Sequence, residues 1–193
     1  MDYRLTKQHL LDALAQWNRF LKRKVHLIAC GGTAMTLLDI KASTRDIDFM
    51  VPKMPEYEYL IKMLQNLGYQ NASGYGWARK GELFVFDLFP GKRIHTTELL
   101  ESPLEKDRHT LIKEFERIYL GVLNDYDLIV SKLFRGDQVD FEDSLHLVKA
   151  HKKELDIAAL KKRFFEMLSY HPVGEQRIRG HWDSFERQLR KEK

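Results

Sequence analysis

Residues His26–Val51, HLIACGGTAMTLLDIKASTRDIDFMV, constrain this chain more than any other stretch. The largely apolar run Val25–Ala29 stops at a glycine pair and reads as a buried strand. Gly31-Gly32 follows, and then Thr33–Ile40 carries apolar residues at helical spacing. Glycine lets the chain turn sharply and leaves backbone N–H groups uncovered by a side chain. N–H groups at a helix start favour an anion. After a short polar loop, Asp46–Val51 (DIDFMV) reads as a second strand. Side chains in a strand repeat every two residues, so Asp46 and Asp48 are expected on one face. Two close carboxylates repel each other unless a cation sits between them.

An anion site beside paired carboxylates suggests a nucleotide held through Mg²⁺. A second informative strand is Glu82–Phe89, whose LFVFDLF core is apolar on both faces apart from Asp87. That pattern implies burial on both sides. An unpaired ionised carboxylate there would cost several kcal/mol, on the order known for buried ions. Asp87 therefore needs a metal, an arginine or a catalytic role, and Arg45 and Arg79 are the candidate partners for a plain salt bridge.

The order strand, Gly-Gly, helix and Arg-Asp-Ile-Asp-Phe strand resembles the signature of the DNA polymerase β-like nucleotidyltransferase superfamily. Within it, the chain resembles the bacterial AbiE-type toxins and related nucleotidyltransferases, most clearly over residues 25–90 and less over 120–150. The resemblance implies a metal-dependent transferase with Asp46 and Asp48 bridging two Mg²⁺ ions. It implies Asp87 as the third ligand and acceptor-side base. Gly31, Gly32 and Thr33 would cradle the phosphates of a nucleoside triphosphate, and Arg45 would join them. Ser43 and Thr44 either touch the nucleotide or shape the turn. The related toxins show a helical lysine, then a basic residue directly before an Asp-x-x-Asp pair. Here Lys132 and Arg135 precede Asp140 and Asp143, but Val139 holds the adjoining place. Lys132 would grip the triphosphate; the alternative is ion pairing between two surface helices. The resemblance further implies an RNA acceptor, such as a tRNA end, and an antitoxin protein as partner. A small-molecule or protein acceptor, or a non-catalytic binding module on the same fold, are the alternatives.

Composition narrows the class. With 44% hydrophobic residues the chain can pack a core. No run approaches the ~18–20 apolar residues of a membrane span, and Met1–His9 lacks an apolar signal core. The single cysteine, Cys30, cannot form an internal disulfide, which fits a reducing cytoplasm. The eight histidines show no convincing zinc spacing, and His109, His146, His151, His171 and His181 read as ordinary helix or loop residues. The net charge of +4 is unevenly spread: residues 151–193 carry 11 basic and 7 acidic groups, among them Arg177, Arg179, Arg187 and Arg190. That tail either meets nucleic acid or is a solvated helix face.

The remaining pattern predicts an α+β fold with a small mixed sheet of four or five strands flanked by helices. A nucleotidyltransferase core over 1–122 would precede a helical part over 123–193. Helices are expected over 6–23, capped by Thr6, and over Glu56–Leu67, closed by Gly68. Asn71–Gly76 reads as a turn, Trp77–Lys80 as a short strand, Glu98–Leu100 as a helix start and Arg117–Val122 as a strand. Asn124 should cap a helix over Asp125–Arg135 with Leu128, Ile129, Leu133 and Phe134 inward. Helices over Phe141–His151, Ile157–Leu168 and Gln176–Leu189 follow, the last two separated by His171-Pro172 and Gly174.

Overall fold

The most apolar strands of the sequence are expected in the middle of any sheet, because only there are both faces and both edges covered. The computed structural model, which describes residues 4–171 and 173–191, has this arrangement. In chain order the elements are α1 (Lys7–Phe20), β1 (Val25–Ala29), α2 (Gly31–Leu37), β2 (Ile47–Val51), α3 (Met54–Asn66), β3 (Tyr69–Ser73), β4 (Gly76–Arg79) and β5 (Phe86–Pro90). A small hairpin, β6 (Arg93–Ile94) and β7 (Thr97–Glu98), leads to β8 (His109–Glu114) and β9 (Ile118–Leu123). Four helices finish the chain: α4 (Asp125–Arg135), α5 (Gln138–Ala150), α6 (Ile157–Ser169) and α7 (Glu175–Lys191).

The sheet is mixed, in the order β3-β4-β5-β2-β1-β9-β8. Every residue of β2 is buried, and β1 and β9 nearly so, whereas the edge strands β3 and β8 are mostly exposed. The fold class is α+β as expected, but seven strands replace the expected four or five. The two missed strands are these edges, YQNAS and HTLIKE, whose polar residues suit a solvent-facing edge and hide the strand signal. Asn71–Gly76 is thus a β-hairpin rather than a plain turn, and His109 lies in a strand. The predicted helix start at Glu98–Leu100 is instead the end of the β6–β7 hairpin.

Helix α1 begins at Thr6, whose hydroxyl accepts from the His9 N–H while the His9 ring accepts from the Thr6 N–H. Such a cap contributes about 1 kcal/mol. Trp17 of α1 lies on the Phe86 ring, 4.2 Å between centroids, and its indole N–H donates to the Tyr69 hydroxyl. That fixes α1 over the β3–β5 side of the sheet. At the other end, Asn124 caps α4 by accepting from the Asp127 N–H, and Gly136 ends it at φ 77°. Leu128, Ile129, Leu133 and Phe134 of α4 are all buried, as predicted. Around α4, Phe164, Trp182 and Phe185 join α6 to α7. Pro172, expected to help separate those helices, and the first three residues of the polar start lie outside the described residues. Among the described residues no helix is long and apolar enough to cross a membrane.

Candidate active site

Two parallel strands set the geometry. In the β2–β5 register Asp48 lies directly opposite Asp87, so the two carboxylates share one face. Each acid looks at a glycine. A Cβ on Gly31 would come within 2.4 Å of Asp48 Oδ2, and one on Gly76 within 3.1 Å of Asp87 Oδ1. Gly31 also holds φ +56°, a backbone region that side chains resist. The first glycine of the pair therefore lets the start of α2 close onto the Asp48 carboxylate. Gly32 makes similar room for the Thr44 hydroxyl, 2.6 Å from where a Cβ would stand.

Asp46 is exposed and precedes β2, which starts at Ile47 rather than at the predicted Asp46. It is fastened through its carbonyl, which accepts from the hydroxyls of Thr33 (3.1 Å) and Thr44 (3.0 Å). Thr33 Oγ1 also accepts from the Asp48 N–H at 2.9 Å. The Thr33 hydroxyl, expected to face a phosphate, is thus committed to clamping the acidic strand onto α2. Thr44 has the turn-shaping role, pinned as well by backbone bonds in both directions with Leu5.

Asp46, Asp48 and Asp87 line one wall of a cavity of about 290 Å³. Gly32, Ser43 and Arg45 border it, and the opposite wall carries Lys132 and Arg135 from α4 with Lys41 from the loop after α2. Burial, then Asp87, then Asp46 push the Asp48 carboxyl up to about 7, against the pull of Arg135 and Lys132. Asp87 is raised too, by burial and by Asp46. Arg79, one of its two candidate salt-bridge partners, pairs with Glu82 instead.

The basic wall is itself held by acids. Lys132 Nζ donates to Asp143 Oδ2 at 2.7 Å and lies 3.6 Å from Asp140 Oδ1. Lys41 donates to the other oxygen of Asp143 at 2.8 Å. Arg135 forks onto Asp140 through Nε and Nη2, at 2.7 and 2.5 Å. Burial alone would raise Asp143, but Lys132 and Lys41 outweigh it and hold the carboxyl below its ordinary value. Asp140 bonding raises the Arg135 guanidinium further. These ion pairs join the helices as the alternative reading held, yet Lys132, Asp140 and Asp143 are buried, so they are not surface pairs. Sequence reasoning missed Lys41, Arg4 and His95, which also line the cavity. His95 packs on Phe89 and lies 3.3 Å from Arg135 Nη1, and burial and Arg135 keep its ring below the usual imidazole value. Nothing in the sequence around His95 announces this; only the β6–β7 hairpin brings it back.

Hard carboxylate oxygens are suitable donors for Mg²⁺, and that ion is commonly held by one or two carboxylates together with substrate phosphates. The Asp48–Asp87 pair fits this mode, with room left by glycine on both sides. It does not form a cage: among the described residues, no group of three or more His, Cys, Asp or Glu side chains is arranged to hold a metal ion.

Comparison with known proteins identifies the family and the fold. The family model described as "Nucleotidyltransferase of unknown function (DUF6036)" matches residues 8–190, and the chain belongs to that family. Curated protein sequences give no significant match. The crystal structure of ANT(2'')-Ia in complex with adenylyl-2''-tobramycin superimposes with a TM-score of 0.54 at 14% identity, covering 84% of this chain and 94% of that one. The solution structure of the antibiotic-resistance factor ANT(2'')-Ia gives a TM-score of 0.55 at 14% identity, over 91% and 96%. At this identity the likeness extends to the fold. The chain is a nucleotidyltransferase.

Proposed function

We propose that this nucleotidyltransferase moves a nucleoside monophosphate from a nucleoside triphosphate to an acceptor hydroxyl, with Mg²⁺ bound at the Asp46, Asp48 and Asp87 wall. The observation that carries the reading is the cavity itself, with three carboxylates facing Lys41, Lys132 and Arg135. In this reading residues 1–122 supply the acidic wall and residues 123–193 most of the basic one. Phosphoryl transfer needs charge stabilisation and in-line positioning more than it needs a protein nucleophile. The acceptor oxygen attacks the α-phosphorus, the bond from that phosphorus to the bridging oxygen breaks, and pyrophosphate leaves. Asp87 takes the proton from the acceptor hydroxyl; burial and Asp46 raise its carboxyl above the ordinary value, which makes it a stronger base than a free aspartate. Gly31 and Gly32 backbone groups, Ser43, Arg45 and Lys132 orient the phosphates. A bound divalent ion would screen the phosphate charge and lower the pKa of the acceptor hydroxyl.

For the acceptor we propose RNA, a tRNA end being one form of it, with an antitoxin protein as the partner that a toxin–antitoxin role would require. The exposed Arg177, Arg179, Arg187 and Arg190 of α7 support an anionic partner. Titration calorimetry with each nucleoside triphosphate, in Mg²⁺ and in excess chelator, tests the site. Binding should need the divalent ion. Equal affinity in chelator would reject the metal-dependent reading, and no binding of any triphosphate would reject the transferase site altogether.

A further inference from the structure

A second cavity, of about 390 Å³, lies behind the β6–β7 hairpin. Its floor is the buried Phe134 and Ile178, and its rim carries Thr96, Tyr170, His171 and Arg177. Neighbouring residues line it and the charged cavity. His95 lines the first cavity and Thr96 the second; Arg135 lines the first and Phe134 the second. The two first-cavity members of these pairs meet, with Arg135 Nη1 3.3 Å from His95 Nε2. Arg177 reaches the back of the same residue, donating from Nη1 to the Arg135 carbonyl at 3.4 Å. Asp87 and Phe89 project from one face of β5, since they are two apart. His95 packs on Phe89, so the hairpin tip stands on the face that carries the proposed base. The hairpin that borders the second cavity at Thr96 therefore also reaches, at His95, the strand face that carries the proposed base.

The chemistry of the rim is specific. Tyr170 is 70% exposed, an uncovered aromatic ring beside an apolar floor. Arg177 has no carboxylate partner among the described residues, and the lining contains no acid at all. His171 is held in place, with Nδ1 at 3.0 Å from the Met167 carbonyl and Nε2 accepting from the Glu98 N–H at 3.3 Å. Resting on the transferase reading above, we infer that this cleft is the acceptor subsite and that it takes the terminal nucleotide of a single-stranded RNA. The base would stack on Tyr170 and a phosphate would pair with Arg177. Stacking on an exposed ring tolerates any base, and a guanidinium suits a phosphate. A polycationic aminosugar finds no carboxylate here, so it is the wrong acceptor for this cleft.

Anisotropy of a fluorescein-labelled single-stranded RNA oligonucleotide, with the full chain and its Tyr170→Ala, Tyr170→Phe and Arg177→Ala variants, tests the assignment. Calorimetry with Mg²⁺ and triphosphate and a melting curve on each variant complete it. Tyr170→Ala should weaken RNA binding by roughly fivefold to a hundredfold, while Tyr170→Phe binds as the parent does. Arg177→Ala should weaken it and flatten the slope of log K against log salt by about 0.7. Triphosphate binding and melting temperature should stay at the parent values in all three. RNA affinity indifferent to both Ala variants, or no RNA binding by the parent, overturns the subsite. So does an aminoglycoside whose binding both Ala variants weaken. If the RNA results hold but no triphosphate binds, the cleft stands as an RNA site while its acceptor role falls with the transferase reading, so the two failures are distinguishable.

Discussion

Replacing Asp48 by asparagine should make the metal-free protein more stable, and by an amount that depends on pH. The Asp48 carboxyl is raised from 3.8 to about 7, first by burial and then by Asp87 and Asp46. At ~1.4 kcal/mol per pH unit, that displacement corresponds to about 4 kcal/mol. The folded state prefers the protonated acid, so the folded protein binds more protons than the unfolded chain between these values. Stability from this group is then fully present below pH 3.8, falls as pH rises through the interval, and is gone above about 7. Asparagine cannot ionise and escapes the loss. Urea unfolding of parent and variant in chelator, from pH 4.5 to 8.5 (roughly the span of the interval), reads the difference directly, and the other titrating groups largely cancel. The gap should be small at the acid end and widen to about 4 kcal/mol at the alkaline end. Mg²⁺ with triphosphate should close it for the parent, because a ligand of the folded state alone stabilises it. A variant no more stable than the parent at the alkaline end would refute the reasoning. It would mean that Arg135 and Lys132 already neutralise the carboxylate.

Gly31→Ala must place a methyl 2.4 Å from Asp48 Oδ2 at φ +56°; it should lose ~1–2 kcal/mol to backbone strain alone, more to the clash, and metal-dependent triphosphate binding with it. Gly74→Ala, at φ +51° with nothing within 4 Å, suffers only the strain, so equal melting losses in the two would remove the close-approach argument. Asp87→Asn should largely keep triphosphate binding, because in the two-ion expectation Asp87 serves the acceptor side, and should leave the metal-free fold as stable as the parent or more so, since burial and Asp46 already raise its carboxyl. Transfer, followed with labelled triphosphate, should disappear; a clear fall in melting temperature with transfer falling only in proportion would mark a structural carboxylate instead. Lys132→Met leaves Asp143 and Asp140 buried and short of a cation, and should cost about 3–5 kcal/mol by denaturant unfolding. A loss under about 1 kcal/mol, within the range of a surface pair, would show that Lys41 and Arg135 hold both acids without it.

The legible parts of the fold are those where one local signal dominates. The runs VHLIA, IDFMV and IYLGVL are apolar enough to name the three strands buried at the centre of the sheet. Thr6, Asn124 and Gly136 mark helix ends by chemistry that needs no tertiary partner. The edges β3 and β8 offer no such signal, because an edge strand must stay polar where solvent meets it. Helix α3 starts at Met54, two residues before the predicted Glu56, because Pro55 sits in its first turn, where a missing N–H costs nothing. The β6–β7 hairpin was illegible for another reason: four residues of strand carry no period, and their pairing is settled by the β5 surface beneath them.

The site divides along the same line. Alternation along one strand suggests Asp46 with Asp48, but Asp46 precedes β2 and the pair that shares a face is Asp48 with Asp87, set by the β2–β5 register. Gly31 does announce a backbone that must come close to something. What the sequence does not give is the other wall. Lys41 lies 102 residues from Asp143, and only packing of the α2 loop against α5 joins them. Their meeting changes how the charges must be counted. Arg4, Lys41, Arg45, Lys132 and Arg135 line the cavity together with Asp46, Asp48, Asp87 and Asp143, and Asp140 stands behind Arg135. Five cations thus line the cavity with four acids, while Asp140 and Asp137 both stand behind Arg135 before any ligand arrives. Adding a triphosphate brings further negative charge next to two carboxylates whose pKa values are already raised. In the proposed reaction Asp48 and Asp87 would hold a divalent ion, which would offset that charge. Because Asp140 and Asp143 hold Arg135 and Lys132 in position beforehand, little side-chain freedom is lost when a phosphate arrives. The same pairs that make the basic wall costly to break are what keep it aimed.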